Sequence, residues 1–141
     1  MKSHSNKRSE MINRLEEVLL KIDNLSKSFP ILVEGKKDER TLRQLGITGI
    51  IVHLSGQSLF ETAERMAGFG KVIILTDFDK RGEKIASQVS RYLEEQGTFP
   101  IMTYRTEILS ITKGRIRQIE GLSRFINHLR EKNQSLDIDL S

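Results

Sequence analysis

Two aspartates spaced by one residue follow an apolar run in the middle of the chain. The run extends from Val72 to Leu75, and the acids are Asp77 and Asp79. Its β-branched residues predict a short buried strand, and ligands of parallel sheets bind at the carboxyl ends of such strands. Two neighbouring carboxylates repel each other, and a hard divalent cation would relieve the repulsion. The simpler alternative is that Asp77 ends the strand and Asp79 only caps the next helix.

A third acid, Glu34, ends another predicted strand. It follows the apolar run 31–33 and precedes Gly35, Lys36 and Lys37. Right-handed crossovers bring the carboxyl ends of parallel strands to one edge, so we expect Glu34 to join the two aspartates in one cleft. Three carboxylates there suit one or two Mg²⁺ (or Mn²⁺) ions, while Gly35 would allow a sharp backbone turn and Lys36 would bind substrate phosphate. Alternatively, the lysines are solvated side chains at a helix start.

The elements that would position these acids alternate along the chain. Apolar runs bounded by turn residues predict four strands, at 31–33, 49–54, 71–75 and 99–104. Apolar residues at helical spacing, with capping residues at the ends, predict helices at about 36–45, 58–66, 83–96 and 122–131. Pro100 places the fourth strand near an edge. This alternation predicts a three-layer α/β/α fold with a mainly parallel central sheet of about four strands.

The segments on either side of this pattern have a different character. Residues 1–28 are predicted to form a short basic arm and an amphipathic helix, which would either pack on the domain or contact a partner protein. The domain proper is then 29–131, including the last helix, and the polar, acidic residues 132–141 are predicted to form a flexible tail. Residues 105–120 show no clear periodicity.

Composition excludes several classes of protein. The 141 residues are 37% hydrophobic and 30% charged, which is typical of one globular domain. A formal net charge of +4 is compatible with a nucleic-acid partner. The chain has no cysteine, which excludes disulfides and thiolate metal sites. No apolar stretch is long enough for a membrane span or resembles a secretory signal, so we expect a cytoplasmic protein without a membrane partner.

Basic side chains outside the acidic cleft are candidate phosphate contacts. Lys113, Arg115 and Arg117 form the clearest cluster, on a loop that would return over the acidic edge after the fourth strand. The alternative is a solvated loop. Arg81, beside the aspartates, is a further candidate from its charge alone. His53 also lies at a predicted strand end, where packing or capping is a commoner role than catalysis.

Two segments together resemble the signature motifs of the Toprim domain. They are Val33-Glu-Gly-Lys-Lys-Asp38 and Thr76-Asp-Phe-Asp-Lys-Arg-Gly-Glu83. Their order, spacing and strand context agree with this Rossmann-like family, which includes bacterial primases, topoisomerases, old-type nucleases and recombination-repair proteins. The details are most similar to the ribonuclease that matures 5S ribosomal RNA, to primase-type Toprim domains and to small stand-alone Toprim proteins.

The resemblance implies roles for individual residues. Glu34 matches the family's acid–base or metal-ligand glutamate, and Asp77 and Asp79 match its metal-binding aspartates. The remaining matches are to its signature glycines, at Gly35 and Gly82, and to a lysine and an aspartate of the ribonuclease-like branch, at Lys36 and Asp38.

The expected function is therefore Mg²⁺-dependent phosphodiester chemistry, with hydrolysis of RNA by a nuclease as the leading hypothesis. The predicted positions of Tyr92 in a helix and Tyr104 in a strand give neither the context of a topoisomerase nucleophile. Two alternatives stay open. One is a non-catalytic RNA-binding or ribosome-associated module, and the other is an accessory subunit whose N-terminal helix docks it to a DNA replication or repair complex.

Overall fold

Four short strands form one sheet in the order β2-β1-β3-β4. The computed structural model describes residues 4–54 and 56–140. The strands are Ile31–Val33 (β1), Ile51–His53 (β2), Lys71–Ile74 (β3) and Phe99–Ile101 (β4). The helices are His4–Ser26 (α1), Lys36–Gln44 (α2), Leu59–Met66 (α3), Lys80–Glu95 (α4), Thr103–Thr112 (α5) and Leu122–Leu140 (α6), with 3₁₀ turns at Ala67–Phe69 and Ile119–Gly121.

All three strand pairings are parallel, with Ile31 opposite both Ile51 and Ile73, and Lys71 opposite Phe99. The strand order reverses at β1, because β2 lies on one side of it and β3 on the other. Ligands of open parallel sheets bind at such a switch point, outside the carboxyl ends of the strands. The chain leaves β1 at Glu34 and passes from β3 towards Asp77 at this point.

The strands bury both faces, since their side chains alternate between two apolar cores. Ile31 and Ile73 face a core shared with α1, α2, α5 and α6, whereas Leu32 and Ile74 face a core shared with α3 and α4. The predicted three-layer α/β/α fold with a parallel four-stranded sheet is therefore confirmed.

Several predicted boundaries were wrong. The fourth strand ends at Ile101, and Tyr104 lies in α5 instead of in a strand. The unassigned stretch 105–120 contains most of α5 and the start of a 3₁₀ turn. Helix α6 continues to Leu140, beyond the predicted end of the last helix at about residue 131. Residues 1–3 of the predicted basic arm lie outside the described residues, and α1 already begins at His4.

Helix α1 packs on the domain with its apolar stripe. Leu15 and Ile22 are fully buried in the core shared with α5 and α6, and Arg8 Nε donates a 2.7 Å hydrogen bond to Asn133 Oδ1 on α6. A partner protein would have to contact the outer, polar face of this helix. No helix in the described residues has the length and apolar character needed to cross a membrane.

Candidate functional site

Glu34 and Asp77, which follow the two central strands, lie against each other, whereas Asp79 is not among the residues that line the cleft beside them. Glu34 Oε2 accepts a 2.8 Å hydrogen bond from the backbone N–H of Asp77, and both residues are half-buried. The strand pairing makes this contact possible, because it places the ends of β1 and β3 side by side. The glutamate carboxylate therefore lies directly over the segment that carries the aspartates.

Each of the three acids is oriented by a backbone N–H. Asp77 Oδ1 accepts from Ile119 N–H at 2.9 Å, and Asp79 Oδ1 accepts from Gly82 N–H at 2.7 Å. Asp79 is thus the N-cap of α4, which is the simpler role considered for it. In all three acids one oxygen bonded to a backbone N–H holds the carboxylate in place, and the side chains of Glu34 and Asp77 also interact with each other.

The surroundings of Asp77 disfavour the ionised form of its carboxyl group. Burial, followed by the charges of Glu34 and Asp79, raises the pKa of Asp77 to about 6, against the lowering effect of the Ile119 N–H. A carboxylate with a raised pKa beside two others is destabilised when ionised. A bound cation would relieve this repulsion.

The residues present fit a magnesium ion in their chemistry, although they do not form a closed cage. Within residues 4–54 and 56–140, no three His, Cys, Asp or Glu side chains form a group already arranged around a metal. Mg²⁺ usually binds through one or two carboxylates and keeps several waters, so it does not need such a group. Glu34, Asp77 and Asp79 would supply the oxygen ligands that it prefers.

A cleft of about 320 Å³ lies at this edge of the sheet. The predicted site residues that line it are Glu34, Gly35, Lys36, Asp38, Asp77 and Arg81. Lys37, Gln118 and Glu120 also line it, and Gln118 and Glu120 had been missed. They reach the cleft through the return of the chain after α5, a return that was predicted, although the contact had been assigned to Lys113, Arg115 and Arg117.

The predicted basic cluster does not line this cleft. The loop does return to the acidic edge, where the Arg117 carbonyl accepts a 2.7 Å bond from Phe78 N–H. However, Lys113 and Gly114 have positive φ of 54° and 71° and turn the chain at the end of α5. Lys113 lines a separate cavity beside α1, and Arg115 and Arg117 are exposed outside the acidic cleft.

Asp38 holds two backbone segments together. Its Oδ2 accepts from Gly35 N–H at 3.1 Å, it also accepts a backbone hydrogen bond from Glu120, and its side chain is buried. Burial, with the charges of Asp77 and Glu120, raises the pKa of Asp38. These contacts indicate that Asp38 holds the backbone on both sides of the cleft in position.

Different physical constraints favour glycine at the two signature positions, Gly35 and Gly82. The chain bends at Glu34 and Gly35, but Gly35 has φ −149° and ψ 177°, which is extended backbone that any residue can adopt, so the bend itself does not require a glycine. A Cβ at Gly35 would meet nothing within 4 Å, which leaves room for a ligand against the backbone. A Cβ at Gly82 would lie 1.9 Å from the carbonyl oxygen of Asp77. Helix α4 therefore packs directly on the loop 75–79 that carries the two aspartates, the aspartate loop.

Arg105 is the most important residue that sequence reasoning missed. It is only 2% exposed, and its Nε donates to the Thr76 carbonyl at 3.1 Å while its terminal nitrogens donate to the Asp77 carbonyl and to Glu83 Oε2. The guanidinium carbon lies 5.5 Å from the centroid of the Phe78 ring. Arg105 therefore holds the backbone carbonyls of Thr76 and Asp77, while Glu34 holds the backbone N–H of Asp77.

The raised pKa of Asp77 makes stability depend on pH. In the folded protein the carboxyl group of Asp77 retains its proton up to about pH 6, whereas in the unfolded chain the same group loses it near pH 3.8. The stabilisation from the proton is therefore full below 3.8 and is lost as the pH rises through about 6. Because Asn cannot ionise, we expect Asp77→Asn to gain on the order of 1 kcal/mol relative to wild type at high pH, after discounting for solvent exposure.

Urea unfolding in a chelator at about pH 4.5 and about pH 8 measures this difference for both proteins. Glu64→Gln, at an exposed position on α3, is the control for loss of one acid. Parallel pH profiles for wild type and Asp77→Asn would contradict the prediction.

The fold and the site together define a class of protein: a parallel α/β domain that places acids from two adjacent strands at the switch point of its sheet. The chain belongs to the Toprim domain family, whose sequence model matches residues 29–111. This membership indicates a metal-dependent function connected with nucleic acids. Residues 1–28 and everything after Ile111, including Gln118 and Glu120, lie outside the match.

The similarity to archaeal relatives extends over most of the chain. A UPF0292 protein of Methanosarcina acetivorans is 38% identical over 123 residues, which cover 86% of this chain and 85% of that protein. A UPF0292 protein of Methanocaldococcus jannaschii is 31% identical over 123 residues, covering 86% of this chain and 96% of that protein. Among solved structures, a putative protein from Aquifex aeolicus superposes with a TM-score of 0.66 at 31% identity, covering 75% of this chain and 95% of that one.

Proposed function

We propose that the protein is a metal-dependent nuclease that cleaves phosphodiester bonds, with RNA as the favoured substrate. The observation that supports this most is the hydrogen bond between Glu34 and the backbone of Asp77, because it joins acids of two strands at a cleft that also contains cations. Lys36 and Arg81 line the same cleft. Oxygen ligands beside phosphate-binding side chains suit phosphodiester chemistry.

Each residue of the cleft has a distinct role in this proposal. Bound Mg²⁺ would neutralise charge on the scissile phosphate and lower the pKa of a bound water. Glu34 would act as ligand or as general acid/base through Oε1, since Oε2 is engaged by Asp77 N–H. Lys36 and Arg81 would bind the non-bridging phosphate oxygens, with Arg81 able to form two parallel hydrogen bonds.

The preference for RNA is supported by the resemblance of the motif at 33–38 to the 5S-rRNA maturation ribonuclease. The open space beside the Gly35 backbone supports close approach of a strand to the cleft.

Incubation of the pure protein with structured RNA, single-stranded DNA and duplex DNA tests the proposal. We expect cleavage of RNA with Mg²⁺ or Mn²⁺, none with chelator, and a loss of at least about a hundredfold in Glu34→Gln and Asp77→Asn. Glu64→Gln is the matched control and should cleave like wild type. If all variants bind RNA with equal affinity and none cleaves it, the protein is a non-catalytic RNA-binding module and not a nuclease.

A further inference from the structure

A second cavity adjoins the acidic cleft, between α2 and α6. Its volume is about 530 Å³, and polar or charged side chains line it throughout. Such a volume is within the range of about 300–1,000 Å³ in which proteins enclose ligands. The predicted functional residues did not include this part of the molecule, apart from Lys37 at its margin.

The two cavities share residues. Lys37 and Glu120 line both of them, so the groove between α2 and α6 begins where the acidic cleft ends. A small ligand would need only one cavity. A polymer whose phosphate lies beside Glu34 and Asp77 would continue along the surface, and this groove is a path that the structure provides.

The groove carries cations that are available to a ligand. Lys37 and Arg40 on α2 and Arg124 on α6 are exposed, and none lies within 4.0 Å of a carboxylate in the described part of the chain. By contrast, Arg43 on α2 and Arg130 on α6 form ion pairs with Glu39 and Glu16. The cations inside the groove are thus those that remain free to bind phosphate.

The other lining residues favour a nucleic-acid strand over a simple anion. Ser123 and Asn127 on α6 offer hydrogen-bond donors and acceptors that suit sugars and base edges. Glu120 and Glu131 also line the groove, so its net positive charge is modest and tight binding of a small phosphate is not expected.

We propose that the groove between α2 and α6 binds the nucleic-acid strand next to the scissile phosphate, with Lys37, Arg40 and Arg124 contacting the backbone. The inference rests on the proposed function for the position of the scissile phosphate, but binding in the groove does not require cleavage. The groove therefore supplies affinity, and the acidic cleft supplies chemistry.

Measuring RNA binding in the absence of metal separates the binding role of the groove from cleavage at the acidic cleft. We would measure fluorescence anisotropy of a labelled single-stranded RNA of about 20 nucleotides, and of DNA of the same sequence, in chelator at about 50 to 200 mM KCl. In Arg40→Gln/Arg124→Gln we expect roughly tenfold weaker RNA binding at low salt and a salt slope reduced by about 1 to 2. Arg40→Lys/Arg124→Lys should retain most of the affinity, because it keeps the charge.

The control is Arg65→Gln/Arg91→Gln, which removes the same charge from α3 and α4 on the opposite face of the sheet. Unfolding midpoints of all variants show whether they fold. The proposal is overturned if both Gln pairs weaken binding equally, if neither does, or if the wild type binds neither RNA nor DNA. A selective groove effect without any cleavage supports the groove and overturns only the nuclease, and comparison of RNA with DNA shows which backbone the groove prefers.

Discussion

Replacement of Gly82 by alanine is expected to lower the free energy of unfolding by about 3 kcal/mol. Helix propensity alone predicts the opposite, since Gly→Ala inside a helix usually gains about 1 kcal/mol. Here the added Cβ would lie 1.9 Å from the Asp77 carbonyl oxygen and 2.6 Å from its carbonyl carbon. Both are backbone atoms of a segment held by Glu34 and Arg105, so the clash cannot be relieved by a side-chain rotation.

Urea unfolding of Gly82→Ala beside Gly68→Ala measures the effect. Gly68 is the matched control because it lies in a 3₁₀ turn, lacks a positive φ and has nothing within 4 Å of an added Cβ. Gly68→Ala should change stability little. If Gly82→Ala is equally neutral, α4 can move away from the aspartate loop, and the close packing is not required by the fold.

A second large effect is expected for Arg105→Met, which should cost roughly 3 kcal/mol. Methionine retains apolar volume but removes all donors, so the carbonyls of Thr76 and Asp77 lose hydrogen bonds in a buried position. Burial decides the size of the effect. Arg43 also donates to two carbonyls, those of Ile47 and Gly49, yet its side chain is 39% exposed.

Arg43→Met is therefore the control, with an expected cost of at most about 1 kcal/mol because water replaces the lost donor. The stability of Arg105→Lys should lie between those of wild type and Arg105→Met. A single ammonium group cannot reach all three acceptors that the planar guanidinium of Arg105 contacts. Thermal and urea unfolding of the three variants check the order. Equal losses of unfolding free energy in Arg43→Met and Arg105→Met would mean that burial does not determine how much each arginine contributes to stability.

The predictable part of this protein follows from local sequence patterns and from the regular geometry of parallel crossovers. The apolar runs before Glu34 and Asp77 predict buried strands, and the geometry of parallel crossovers then brings the two acids to one edge. The observed bond between Glu34 and the Asp77 backbone follows from that geometry. The N-cap role of Asp79 is likewise local, because it involves a residue only three positions away.

The part that was missed depends on contacts between distant segments that the geometry of parallel crossovers does not bring together. Ile119 donates to Asp77 across 42 positions, and Arg105 reaches the Asp77 carbonyl across 28. The apolar run 99–104 extended the predicted strand too far and concealed the start of α5, which carries Arg105. Arginine is rarely buried, so nothing in its type or spacing indicated a place beneath the aspartate loop.

The packing of α1 has a consequence for the order of folding during translation. Arg8 and Asn133, which join α1 to α6, lie 125 positions apart. All four strands therefore leave the ribosome before the surfaces that cover Leu15 and Ile22 are complete. The apolar stripe of α1 is synthesised before α5 and α6, so the core that it shares with them can close only after α6 has been made.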